Sequence, residues 1–227
     1  MMEDNLYSLP WVCEAWDEPL AKTDVLFRSV SPTEGDWRMN ARITNASEYA
    51  YAEGYRLAGR IVADYVLQDR LEADFLVYPV VFLYRHCVEL QVKKLIPDSA
   101  YLADRNITED QKRTLRSSHR LDELWAILEP ILEDNSINIE ADRIESIASS
   151  VRQLHEIDKE SFSFRYSITK SGAPSIDKKK LPHVNLRVVA GCMERLTGYL
   201  DGLGWVSEAL QTKYEMEAEA RGNTIAR

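Results

Sequence analysis

The sequence predicts an all-α protein: an up-and-down bundle of four to five helices, with an irregular N-terminal arm and a long loop before the last helix. Three observations carry this. Apolar residues recur at helical spacing through most of the chain beyond Asn45. Strand-like alternation shows only around Phe162-Ser-Phe-Arg-Tyr166. Only 9 glycines and 8 prolines interrupt 227 residues, of which 45% are hydrophobic, so long ordered helices around one core are expected.

Met1 to Gly35 has no sustained period and contains Trp11, Trp16, Pro10, Pro19 and Pro32. It reads as an arm held to the body by its aromatics, with residues 36–227 as a single domain. From Asn45 to Leu71, Tyr51, Tyr55, Ala58, Ile61, Val62, Tyr65 and Val66 recur as one helical face. Phe75 to Ile96 is the next helix, with Pro79 in its first turn and Pro97-Asp98 as its stop. Thr108-Glu-Asp-Gln111 fits a capping box that starts a short helix. Ser117 or Ser118 then caps a segment from His119 that Pro130 kinks or ends. Glu140 to Lys159 is amphipathic through Ile144, Ile147, Val151, Leu154 and Ile157. Ser161 to Pro182 is the long loop, with a short hairpin at its start. Asn185 opens the last helix, which is expected to reach Tyr199, break at Gly202 and Gly204, and resume.

The net charge of −9 confines any nucleic-acid binding to local basic patches. Two exist. Arg105 to Arg120 contains Arg113 and Arg116, and Arg165 to Arg187 contains Lys178, Lys179 and Lys180 against Asp177 alone. Cys13, Cys87 and Cys192 form no metal or redox spacing and read as reduced thiols in a cytoplasmic protein. The longest uncharged apolar run, Phe75 to Tyr84, is too short for a bilayer span, so no membrane association is expected.

The most informative stretch is Tyr78 to Ile96. Arg85, His86, Glu89 and Lys93 lie one, three and four residues apart, along one side of an otherwise apolar helix. Charges on such a helix are costly unless paired or functional. Glu89 and Lys93 form an acid-then-base pair at i,i+4, and Arg85 is placed to join it. The stripe is either a salt-bridged seam, with His86 and Glu89 structural, or a ligand-facing surface. A metal-dependent reading through His86, Glu89 and His155 ranks below both, and no cofactor or metal is assigned. His119, beside a serine at a helix start, is suited to accept a proton or a hydrogen bond. Arg165, opposite the aromatic side of Phe162, Phe164 and Tyr166, is placed to sit over Glu89 or over a phosphate. No nucleophile elbow, P-loop or dinucleotide fingerprint is present in the sequence.

Taken in order, these patches resemble the HEPN superfamily, the helical-bundle domains of prokaryotic toxin–antitoxin and phage-defence systems. The resemblance rests on Phe82-Leu-Tyr-Arg85-His86 with Glu89-Leu90 and Lys93, then His119-Arg-Leu-Asp-Glu-Leu-Trp125, then Phe164-Arg165-Tyr166. It spans about Asn45 to Leu200. It implies a helical bundle, a homodimer, RNA or nucleotide binding, and in the nuclease branch metal-independent RNA cleavage. It also implies a nucleotidyltransferase or another defence protein as partner. The residues it assigns are His119 as proton donor or acceptor with Arg113 or Arg85 on the phosphate charge. Lys93, Arg165, Arg116, Lys178, Lys179 and Lys180 are the expected RNA or phosphate contacts. Thr114 after Arg113, and Leu121 two residues after His119, depart from the family pattern. A non-catalytic dimerisation or protein-interaction module is the alternative.

Overall fold

The stretch richest in buried apolar side chains becomes the helix on which the others assemble. A computed structural model of the chain describes residues 21–22, 24, 26–27, 29–33, 37–42, 47–69, 72–134 and 139–225. It contains six α-helices and no strands among the described residues. They are α1 (Glu48–Asp69), α2 (Ala73–Leu102), α3 (Glu109–Ser117), α4 (Leu121–Leu132), α5 (Ala141–Ile157) and α6 (Leu186–Ile225). The chain divides into two compact units, Met1–Thr44 and Asn45–Arg227, a later division than the expected boundary after residue 35. In the first unit the Asn40 side chain bonds the backbone of Val30 twice, beside a 3-10 turn at Trp37–Met39. The expected anchors Trp11 and Trp16, with Cys13, lie outside the described residues.

In the second unit α2 packs against α1, α4 and α6, while α5 covers α4. Joined by residues 70–72 alone and packed along each other, α1 and α2 run antiparallel. The core gathers Val80, Val88, Val92 and Ile96 of α2, Leu121, Leu124 and Leu128 of α4, Ile144 and Val151 of α5, and Met193 and Leu200 of α6. Each such side chain contributes about 1.5–3 kcal/mol by leaving water. The helix α2 has the length and hydropathy of a membrane span, yet half of that span is buried inside this bundle. Burial also pushes the Cys87 thiol up to about 12, whereas Cys192 on α6 is exposed.

Where α1 meets α2, Gly59 faces the Tyr84 ring; a Cβ there would come within 3.2 Å of it. The Tyr84 hydroxyl donates to Glu194 of α6 at 2.8 Å, and Arg56 and Arg60 of α1 pair with the same carboxylate. Burial alone would raise the Glu194 carboxyl, but Arg60 and Tyr84 outweigh it and hold it below the ordinary carboxylate range. Three helices are thereby tied at one point.

Four boundaries differ from the sequence reading. Pro79 lies in the second turn of α2, and Pro97 is carried inside the helix, which continues to Leu102. Pro97 is exposed, and Asp98 pairs with Lys94 one turn back, so packed residues on both sides carry the helix through the missing donor. Gly202 and Gly204 do not break α6, which is held across them by buried Leu200 and by Trp205 against Tyr49 and Asp201. The hairpin falls after the aromatic run: Ile168 bridges Pro174, and Gly172 takes the left-handed backbone (φ 82°) that the reversal needs. The capping box at Thr108–Gln111 and the start of α6 after Asn185 are as expected.

A Cβ at Gly202 or Gly204 meets nothing within 4 Å. Gly202→Ala and Gly204→Ala therefore raise stability by about 0.5–1 kcal/mol each, read as a higher urea midpoint. A lower midpoint would show that the helix needs its glycines.

Candidate functional site

Register on α2 sets the centre of the site. Arg85, Glu89 and Lys93 follow one another at one-turn intervals, and the first two have no more than 1% of their side chains exposed. Arg85 Nη1 donates to Glu89 Oε2 at 3.0 Å. Its Nη2 donates to the His119 carbonyl at 2.7 Å, and its Nε to the Asp158 carbonyl at 3.2 Å. The Asp158 carboxylate lies 3.4 Å from the same Nε and accepts the Phe162 and Ser163 amides at 2.7 and 2.9 Å. One guanidinium thus joins α2, the link between α3 and α4, and the turn after α5. Two buried carboxylates face Arg85 and Lys93, so charge is balanced inside a low-dielectric setting.

His119 sits in the extended link between the last residue of α3 and the first of α4. Its Nδ1 meets Glu89 Oε1 at 2.7 Å, and Lys93 Nζ donates to the same oxygen at 3.0 Å. A carboxylate only accepts, so Nδ1 carries a proton, and in the neutral tautomer that leaves Nε2 as the acceptor. With 57% of the side chain exposed, the ring is held at one edge and open to solvent. Burial alone would raise the Glu89 carboxyl; the hydrogen bonds from His119 and Lys93 outweigh it and hold it below the usual carboxylate range. The serine cap is differently used. Helix α4 starts at Leu121 with Arg120 at its N-cap, while Ser118 Oγ accepts the Arg120 amide and donates to Glu123.

Next to this pair runs an aromatic and cationic surface. His86 stacks on Phe82, with centroids 5.7 Å apart, and meets the Tyr55 ring edge-on at 4.5 Å. It has turned from the charged stripe toward α1. Burial lowers its pKa, and Glu89, His119 and Lys93 are all close enough to act on its charge. The Arg165 guanidinium lies over Phe82 and Tyr166, at 5.5 and 5.7 Å from their centroids, and its Nε donates to the Ser161 carbonyl at 2.6 Å. It is therefore not over Glu89. The three aromatics also fail to share one face. Asp158 caps the amides of Phe162 and Ser163, so the chain coils into a helical turn in which Arg165 and Tyr166 bond back to Phe162. Phe164 is buried beside Tyr78, while Phe162 pairs with Tyr166.

The structure brings together Arg85, His86, Glu89, Lys93 and His119, with Arg165 joined to them through Phe82. Arg85 has no exposed surface, and all three of its guanidinium nitrogens bond within the chain, so it does not reach the surface where a phosphate would lie. Arg113 lies exposed on α3 and pairs with Asp110 at 2.9 Å. Among the described residues, neither Arg113 nor Arg116 shares a hydrogen bond or ion pair with His119 or Glu89. Lys178, Lys179 and Lys180 stand exposed on the loop before α6. His155 faces Asp122 at 3.2 Å, away from Glu89, and the described residues contain no cluster of three or more side chains able to hold a metal. Spacing in the sequence does not mark Asp158, Tyr55 or Tyr78 as parts of this surface. An acid at a helix end, four residues before an amide it caps, is the one signal that points to Asp158.

No family model, no curated protein and no solved structure matches this chain.

Two outcomes follow from this network. Arg85→Ala leaves two buried carboxylates without their counter-ion and lowers stability by about 3–5 kcal/mol in denaturant titrations. Glu89 is held low in the folded state, so its contribution is complete above the unfolded value of about 4.3 and is lost as pH falls through the folded value. Glu89→Gln flattens that acid limb of a melting-temperature profile.

Proposed function

We propose that this chain is a HEPN-like protein of prokaryotic defence or toxin–antitoxin type, acting as a homodimer in the cytoplasm. In this reading it binds RNA and cleaves it without metal at His119. The observation that supports it is the imidazole of His119, fixed on Glu89 at 2.7 Å with more than half of its side chain exposed and Lys93 on the same carboxylate oxygen. His119 Nε2 takes the proton from a ribose 2′-hydroxyl. The freed oxygen attacks phosphorus, the bond to the 5′-oxygen breaks, and the leaving oxygen takes a proton from water. The products are a 2′,3′-cyclic phosphate and a 5′-hydroxyl end. Lys93 offsets charge on the phosphorane, and Arg85 acts through Glu89 by holding its carboxylate in place.

A second reading draws on the same geometry. Every group of Arg85 bonds inside the protomer, as a purely architectural network would have it, which suits a non-catalytic interaction module.

Incubation with RNA in EDTA separates the two. Cleavage to cyclic-phosphate ends, reduced about 10²-fold or more in a His119→Ala variant that still melts cooperatively, is the expected result. Intact RNA together with a dimer that binds no RNA would replace the enzyme with the module.

A further inference from the structure

A hollow of about 440 Å³ opens between Tyr78 of α2 and the loop of residues 163–178. That volume suits one small ligand. Tyr78 and Tyr166 line it with rings that are about half exposed, and buried Phe164 adjoins Tyr78. Two cations, Arg165 and Lys178, stand at its wall. Arg165 commits its Nε to the Ser161 carbonyl, which fixes the guanidinium plane. Ser175 Oγ, also on the wall, is buried without a hydrogen-bond partner. The far wall is stiffened by the bridge from Ile168 to Pro174 and by the Ser175 amide on the Ser167 carbonyl at 3.0 Å. Flat rings, a planar cation, a point cation and an idle hydroxyl together match a nucleotide: a base to stack, a phosphate to neutralise, a sugar or base edge to bond.

We infer that this hollow is a nucleotide subsite for single-stranded RNA, with the base against Tyr166 and Tyr78 and the phosphate on Arg165 and Lys178. The inference rests on the RNA-binding reading above and extends it. Tyr78 stands three turns before Glu89 on α2, about 16 Å along the axis, a span of a few nucleotides of extended strand. Arg165, lying over both Tyr166 and Phe82, makes the surface continuous from the hollow to the His86 ring and so toward His119. A duplex keeps its bases stacked inside and cannot enter; an unpaired strand can.

The test is fluorescence anisotropy of the full chain with a short labelled 2′-O-methyl oligoadenylate, which lacks the nucleophile and stays intact. Tyr166 and Lys178 are exposed, and melting curves of their variants serve as the check on folding. Tyr166→Ala weakens binding about tenfold, while Tyr166→Phe keeps it. Lys178→Ala lowers the salt slope by about 0.7. The same strand annealed to its complement binds more weakly. Adenosine monophosphate displaces the strand from the wild type and not from Tyr166→Ala if a free nucleotide also fits; a strand displaced equally from both argues against the hollow. Wild-type binding that is indifferent to Tyr166→Ala and Lys178→Ala, yet lost in Lys93→Ala, overturns the subsite and leaves the His119 reading in place. No binding of the wild type overturns both.

Discussion

A guanidinium with no contact to water constrains everything around it. Arg85 sits inside the helix that forms the core, where an unpaired charge is untenable, so the chain must deliver acceptors to it from elsewhere. Glu89 comes from the same helix, but the carbonyl of His119 and both the carbonyl and carboxylate of Asp158 come from distant segments. Satisfying one side chain therefore fixes the path of two irregular connections. Those connections carry His119 and Arg165, which stand beside Lys93 and Tyr78 of α2 at the candidate site.

The second polar knot, at Glu194, does comparable work on the other side of α2. Tyr84 and Arg85 are neighbours in sequence and point to opposite networks, one toward α1 and α6 and the other toward the links flanking α4 and α5. The central helix is thus locked from both sides by charge as well as by apolar packing. A ring held on this framework keeps its orientation without relying on a mobile loop, which is what proton transfer or stacking asks of a site.

Much of this was legible in the residues. Periodicity located the helices because the apolar faces are strong, and the four-residue steps from Arg85 to Glu89 to Lys93 announced their pairing. The positions of Pro97 and Gly202 misled for one physical reason: local propensity costs about 1–3 kcal/mol, and tertiary packing of a long helix exceeds it. The path of Phe162 to Tyr166 was misread for another. Alternation suggests a strand, but a buried aspartate four residues earlier supplies a cap that no pattern of hydrophobicity encodes. Likewise, the use of both the ring and the carbonyl of His119 by one pair of neighbours depends on contacts 30 and 34 residues apart, which spacing alone does not reveal.

That double grip on His119 has an evolutionary consequence. Its backbone is fastened to Arg85 and its imidazole to Glu89, while those two are fastened to each other. A lineage that drifts at either position disturbs foldedness and aim together, so selection cannot adjust one trait while sparing the other. Novelty should accumulate instead at the rim, where the exposed Lys178, Lys179 and Lys180 can be exchanged with little harm to the scaffold.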